Sequence, residues 1–299
     1  MSEGQFETAA IIGLGLMGAS LAAAFKKNNA VNKVIGYDCN PETIKKASQL
    51  EFIDEQFLGT KSDYKNLKTA DIVIIAVPVK KIPEILADIK GKAARDSMVI
   101  DVGSSKSFVM KEAAKIFSSP PEINFIGGHP LCGSEKSGID NYNPELFQNQ
   151  KMILTPVRKL YRNTFDQLQL VNFFSRIGLA MKSMRPEEHD RKMAYISHLP
   201  QIGASSLALV LEGEEDLGEL LQLAGTGFAD TTRLAGSDPD MWRDIVLTNR
   251  ENIVSVIAQL QEILQELRNN LENNNKDEIL RFFQEAVRLR NEFISRKGD

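Results

Sequence analysis

Cysteine is nearly missing from this sequence: Cys39 and Cys132 are the only two in 299 residues. Two thiols build no disulfide framework, and no Cys-x-x-Cys pair offers a zinc or redox site. A reducing, cytoplasmic compartment is therefore expected. Histidine is scarce as well, with three residues at 129, 189 and 198. Their scatter makes no metal-ligand spacing, and no metal is expected. Lysine and arginine are absent before Lys26, and Gly13, Gly15 and Gly18 interrupt the early apolar run. A secretory leader wants the reverse of both features. The longest apolar run, Ile72 to Val79, is far too short to span a bilayer. There is no basic block, and 36 basic against 40 acidic residues leave a formal charge of -4. That balance argues against nucleic acid or an anionic membrane as partner. An anionic substrate would need a local group of cations.

What is present is ordinary globular material, 42% apolar and 25% charged, in a length that fits two domains. The first half alternates short apolar runs with helical patterns. The runs are Ala9–Ile12, Val34–Tyr37, Ile72–Val77, Met98–Val102, Asn124–Ile126 and Met152–Leu154, with a last one at Gly178–Met184. None alternates with polar residues, as suits strands buried on both faces. Helices are expected at Ala19–Asn28, Pro41–Leu50 and Lys106–Phe117. Strand–helix alternation of this kind predicts an α/β fold with a doubly wound parallel sheet.

After Arg185-Pro186 the strand signal stops. Glu187–Leu211 reads as one long helix with a kink at Pro200. Leu217–Leu223 is a short helix, and Gly225-Thr226-Gly227 breaks the pattern. A long amphipathic helix is expected from Pro239, capped by Asp238, with Ile245, Val246, Ile253, Ile257, Leu260, Leu264, Leu267 and Leu271 forming its stripe. Asn273-Asn274-Asn275 is a turn, and Asp277–Ser295 a final helix. The expected division is residues 1–185 as a nucleotide-binding domain and 186–299 as an all-helical domain for substrate and dimerisation. The exposed stripe has to bury somewhere, and a symmetric dimer is the common solution.

Gly13-Leu14-Gly15-Leu16-Met17-Gly18 follows the first strand and opens the first helix. In a Rossmann-type turn the first glycine allows the bend, the second admits a pyrophosphate and the third lets helix meet strand. Backbone N–H groups at Leu16 and Met17 then face the phosphates. Asp38 ends the second strand, 20 residues past Gly18. A carboxylate there accepts from both ribose hydroxyls and repels a 2′-phosphate, so NAD is favoured over NADP. Val77-Pro78, after the third expected strand, marks the edge of the cofactor cleft.

Two other strand ends carry polar clusters: Asp101-Val102-Gly103-Ser104-Ser105-Lys106, and Gly127-Gly128-His129-Pro130 running on to Gly133-Ser134-Glu135-Lys136. Oxidation of an alcohol needs an acceptor for the hydroxyl hydrogen, and neutral imidazole suits this near pH 7. His129 is the candidate, with Ser104 able to bond imidazole, hydroxyl or nicotinamide amide. On position alone, a loop histidine bonded to backbone explains His129 equally well.

These two clusters resemble the prephenate and arogenate dehydrogenase family. So do Ser197-His198-Leu199-Pro200, Phe228-Ala229-Asp230-Thr231-Thr232-Arg233, Ser237-Asp238-Pro239 and Met241-Trp242-Arg243-Asp244-Ile245. The motifs occur in family order over nearly the whole chain. The resemblance implies an NAD-dependent oxidative decarboxylation of prephenate by a cytoplasmic homodimer that pairs through its C-terminal helices. It implies that His129 is catalytic and that Ser104 bonds both it and the substrate hydroxyl. It further implies that Arg233 holds the ring carboxylate, that His198 lies near the pyruvyl side chain and that Glu135 belongs to an ionic network gating the site. Trp242 would reach the neighbouring subunit's site. Ala229 stands where some relatives carry a lysine, and an appended amino-acid-sensing domain is not expected. His189 has no assigned role. Arogenate as substrate stays open. A β-hydroxyacid dehydrogenase ranks lower, because the helix around His198 offers no lysine. A non-catalytic NAD-sensing protein ranks lower too, because Ser104, His129 and Arg233 are present together.

Overall fold

The computed structural model describes residues 6–117, 124–157, 160 and 164–298. Eight strands form one sheet in the order β3-β2-β1-β4-β5-β6-β7-β8. They are β1 (Thr8–Ile12), β2 (Lys33–Asp38), β3 (Glu55–Leu58), β4 (Ile72–Ile75), β5 (Met98–Asp101), β6 (Asn124–Pro130), β7 (Gln150–Thr155) and β8 (Leu179–Ser183). The reversal of strand order beside β1 is the point where a doubly wound sheet opens a crevice for ligands. Central strands are buried on both faces, which is why their sequences carry unbroken apolar runs: all of Ile72–Ile75 is inaccessible.

Helices cover the two faces. They are α1 (Leu16–Lys27), α2 (Pro41–Ala47), α3 (Ile82–Ile89), α4 (Ser107–Ile116) and α5 (Thr164–Ser175). On one face Phe25 of α1 meets Phe173 of α5, with ring centroids 4.7 Å apart. On the other, Leu86 and Ile89 of α3 share a buried cluster with Val109 and Ala113 of α4. The local signals act where they occur. Asn40 caps α2 by accepting from the Glu42 N–H at 2.9 Å, with Pro41 at the first position. Asn29, at φ 50°, turns the chain out of α1.

Several features depart from the sequence expectations. The sheet is not wholly parallel, because β6 and β7 pair antiparallel. The residues between them hold only a short 3₁₀ turn, Ile139–Asn141, and no crossover helix, which antiparallel neighbours do not need. A strand buried on both faces carries no periodic mark of its direction. The short edge strand β3 and helices α3 and α5 add to the expected set. Gly225, expected to break the pattern, caps a further helix.

That helical region comprises α6 (Pro186–Met193), α7 (Leu199–Leu209), α8 (Leu217–Leu223), α9 (Thr226–Thr232), α10 (Pro239–Thr248), α11 (Arg250–Glu272) and α12 (Lys276–Gly298). The helix expected to kink at Pro200 runs from α6 into α7 through a π turn at Ala194–His198. Pro200 has no N–H and its ring crowds the carbonyl four residues earlier, so the irregularity falls in the turn before it. The long helix expected from Pro239 is capped by Asp238, whose carboxylate accepts from the Met241 N–H at 2.8 Å. It is then broken at Asn249, between α10 and α11.

The chain divides into two compact units, Met1–Arg250 and Glu251–Asp299. The second consists of most of α11 and all of α12, joined at Asn274, φ 52°. Its apolar residues Leu264, Leu271, Phe283, Val287 and Phe293 are exposed. Among the described residues no helix is long and apolar enough to cross a membrane.

Gly18 brings α1 close against the glycine turn and β1. A Cβ there would sit 1.9 Å from the Gly13 carbonyl oxygen and 3.2 Å from Ile11. Gly18→Ala must push the helix off the strand and is expected to cost about 1–3 kcal/mol, the range for forced overpacking. Chemical denaturation reads this directly, and an unchanged midpoint would contradict the contact.

Candidate active site

The turn between β1 and α1 has the shape its sequence promises. Gly13 takes φ +97°, where side chains are strained, and a Cβ on it would lie 2.4 Å from the Ala76 oxygen. Gly15 is different: a Cβ there would meet nothing within 4 Å. Its lack of a side chain serves no internal packing and leaves space against the first turn of α1. No side chain caps that helix, and no acid sits in its first turn. Leu16 and Met17 begin it, half-exposed. An open approach to uncapped N–H groups suits an anionic phosphate. Asp38 ends β2 beside this turn, accepting from the Leu14 N–H and the Asn40 N–H, each at 2.8 Å. The residues present therefore fit a dinucleotide, with Asp38 at the ribose position. Val77 is half-buried and Pro78 exposed at the end of β4. Helix α10 packs on the turn that follows, where Lys80 pairs with Asp244 at 3.3 Å.

The second cluster forms where β5, β6 and α6 meet. His129, on β6, is buried, and its Nδ1 lies 2.8 Å from Nε2 of His189. His189 Nδ1 lies 2.8 Å from Asp190 Oδ1. The Asp190 carboxylate also accepts from the Lys106 N–H at 2.7 Å and the Ser107 N–H at 2.8 Å, the start of α4. Sequence reasoning gave His189 no role, although it stands beside an acid in a chain with few histidines. Its contact with His129 spans 60 residues of sequence, and no local pattern encodes that.

The bonding order fixes the protons. A carboxylate only accepts, so His189 Nδ1 carries the hydrogen that faces Asp190. Neutral His189 then offers Nε2 as an acceptor, and His129 Nδ1 must donate to it. Neutral His129 is left with its lone pair on Nε2. Both rings are held neutral. Burial pushes the His129 pKa well below 6.5, helped by His189, Lys106 and His198. Burial also lowers His189, against the pull of Asp190. For Asp190, burial works upward, but the bonds from His189 and the Lys106 and Ser107 N–H groups outweigh it and hold the carboxyl low.

Lys106 is fully buried, an expensive position for an ammonium. It bonds Asp101 of β5 and donates to the Gly128 carbonyl at 2.7 Å, next to His129. The Asp101 carboxylate accepts in turn from the Gly103 and Gly128 N–H groups. This cross-link ties the ends of β5 and β6 together. Ser104 lies half-buried in the turn that leaves β5, and the neighbouring Ser105 hydroxyl donates to Thr248 at 2.7 Å.

His198 joins the same network from the π turn. Asn249 Nδ2 donates to the Asp190 carbonyl at 2.7 Å and lies 3.1 Å from His198 Nδ1. This bonding explains the break between α10 and α11. Trp242 lies edge-on to His198, with centroids 5.9 Å apart. The indole thus meets a histidine of its own chain. Arg233 begins the 3₁₀ turn Arg233–Gly236, which Gln201 of α7 holds by donating to the Leu234 carbonyl at 2.8 Å. Its guanidinium pairs at 3.0 Å with Glu135, on the loop leaving β6. A bond from its own backbone N–H, together with Arg233, holds the Glu135 carboxyl below the usual range. Among the described residues no cluster of metal-ligating side chains occurs.

A sheet of this order, with a phosphate turn at its first helix and a neutral imidazole at the end of β6, defines a nucleotide-binding dehydrogenase class. Comparison with known proteins gives the particular family. Residues 21–180 match the prephenate dehydrogenase nucleotide-binding domain and residues 185–285 the prephenate dehydrogenase dimerization domain. The chain belongs to the prephenate dehydrogenase family. It is 35% identical to prephenate dehydrogenase of Bacillus subtilis (strain 168), over 94% of this chain and 74% of that protein. The crystal structure of prephenate dehydrogenase from A. aeolicus, in complex with hydroxyphenyl propionate and NAD+, superposes with a TM-score of 0.86 at 31% identity, covering 96% of this chain and 98% of that one. Synechocystis arogenate dehydrogenase superposes with a TM-score of 0.78 at 28% identity, over 96% and 99%.

The buried histidines carry a pH signature. Burial lowers the His198 pKa to about 4 from 6.5. Between those values the unfolded chain binds a proton that the native chain does not, so stability is greatest above about 6.5 and falls as pH drops toward about 4. At about 1.4 kcal/mol per unit, His198 alone accounts for about 3 kcal/mol. Denaturant midpoints measured across that range should fall in the wild type, and less steeply in His198→Leu. Parallel curves would contradict a buried neutral His198.

Proposed function

We propose that the chain is an NAD-dependent dehydrogenase that oxidises prephenate, with loss of carbon dioxide, to 4-hydroxyphenylpyruvate. The observation that carries this reading is the Asp190–His189–His129 chain of 2.8 Å contacts, from which it follows that His129 Nε2 is an acceptor. The Gly13–Gly18 turn and Asp38 hold the dinucleotide, with Val77 and Pro78 at its edge. When bound, NAD supplies the hydride acceptor. His129 Nε2 accepts the hydrogen bond of the ring hydroxyl and draws charge onto that oxygen as the carbinol C–H bond gives up its hydride. Ser104 orients the same hydroxyl. The bond from ring carbon to carboxylate then breaks and carbon dioxide departs. The electron pair left behind makes the ring aromatic, and the oxygen keeps its proton as a phenol. The chain's contribution is placement and charge, while aromatisation provides the drive.

Arg233 is the residue for the ring carboxylate, since a planar guanidinium meets a carboxylate with two parallel bonds. Its exposed pairing with Glu135 is weak enough to be exchanged for substrate. His198 and Trp242 serve the side-chain end. Work on the cofactor side ends near residue 185, where α6 begins. The exposed apolar stripe of α11 and α12 supports a homodimer formed through these helices. Two free cysteines suit a cytoplasmic enzyme.

Absorbance of NADH with prephenate tests this reading. His129→Asn is expected to lose at least about 100-fold in kcat while still binding NAD. Asp190→Asn should lower kcat with little change in KM, because it loosens proton order and not binding. Near-normal turnover of His129→Asn would remove the imidazole from the reaction.

A further inference from the structure

Among the described residues three buried side-chain atoms have no hydrogen-bond partner: Tyr37 Oη, His198 Nε2 and Trp242 Nε1. On the reading given above the last two belong to the side-chain end of the site, and their rings meet edge-on at 5.9 Å. The nature of the His198 nitrogen follows from its neighbours. The Asp190 carbonyl can only accept, so the group of Asn249 that faces it at 2.7 Å must be the amide NH₂. The same nitrogen stands 3.1 Å from His198 Nδ1. One N–H serves the carbonyl and the other points at the imidazole, so Nδ1 must accept. The hydrogen of neutral His198 therefore resides on Nε2. An indole N–H is a donor only. The pair thus presents two hydrogens and no lone pair.

We propose that Asn249 is the positioning residue that selects the substrate's side chain: by fixing His198 as a donor, it makes this end of the site take a keto or carboxylate oxygen and reject an ammonium group. The proposal rests on the reading of the site given above and deepens it. An oxygen acceptor gives His198 Nε2 the partner it lacks. An ammonium group brings three more donors and a positive charge, and leaves every N–H in the pocket unpaired. Sites built to bond one partner discriminate strongly when the partner's polarity is reversed. Asn249 touches neither substrate nor cofactor in this account. It acts through His198, and it is held by the Asp190 that orders His189 and His129.

The test uses the full chain, with prephenate and arogenate as keto and amino substrates. Wild type is expected to favour prephenate in kcat/KM. In Asn249→Asp the new carboxylate accepts from His198 Nδ1, which turns Nε2 into an acceptor. The prephenate-to-arogenate ratio should fall at least about tenfold, a change of about 1.4 kcal/mol in discrimination. Asn249→Leu frees both tautomers and should give a smaller fall in the same direction. Heteronuclear NMR of isotopically labelled histidine reads the tautomer itself, and with three histidines the spectrum is assigned by single substitutions. Wild-type His198 is expected to carry its hydrogen on Nε2. A hydrogen on Nδ1 overturns the proposal, whether or not the Asp variant folds. So does an unchanged ratio in two folded variants. If wild type oxidises neither substrate, the functional reading fails, and the tautomer spectrum still decides the role of Asn249.

Discussion

The site depends on how Asp190 is held. Two backbone N–H groups at the start of α4 grip its carboxylate, and α6 delivers it to that point beside His189. A carboxylate pinned in this way cannot rotate to suit its neighbours, so the neighbours arrange their protons to suit it. The order runs outward from the side chain through His189 to His129, and from the main-chain carbonyl through Asn249 to His198. One residue thereby leaves one histidine as an acceptor and another as a donor. Buried polar networks are costly when incomplete, and among the described residues this one leaves His198 Nε2 without a partner.

The strand ends supply the second half of the constraint. Lys106 and Asp101 join β5 to β6 just below His129, where an unpaired ammonium or carboxylate would be strongly unfavourable. Burial is the main reason that His129 stays neutral, and the charge of Lys106 adds to it. The packing that buries the end of β6 thus sets the charge state of its histidine. The π turn contributes similarly: an irregularity next to Pro200 puts His198 at the network and not one turn along.

Much of this was legible in the sequence. The strands β1, β2, β4 and β5 announce themselves as apolar runs, and the glycine turn with Asp38 carries its own spatial logic. Gly15 shows the difference between kinds of glycine, since only the fold reveals that nothing internal needs its bareness. His129, Ser104, Arg233, Glu135, His198 and Trp242 could be named from motifs. The geometry that relates them could not. His189 and Asn249 gave no signal, because their meaning lies in partners 60 and 51–59 residues distant. The antiparallel β7 was hidden for a different reason: burial on both faces erases the alternation that would mark a strand's surroundings.

The central claim concerns where two hydrogens sit, and neutron diffraction from deuterated crystals sees them. The account requires deuterium on His189 Nδ1 facing Asp190 and on His129 Nδ1 facing His189, with His129 Nε2 bare. Deuterium on His129 Nε2, with Nδ1 bare, would contradict it.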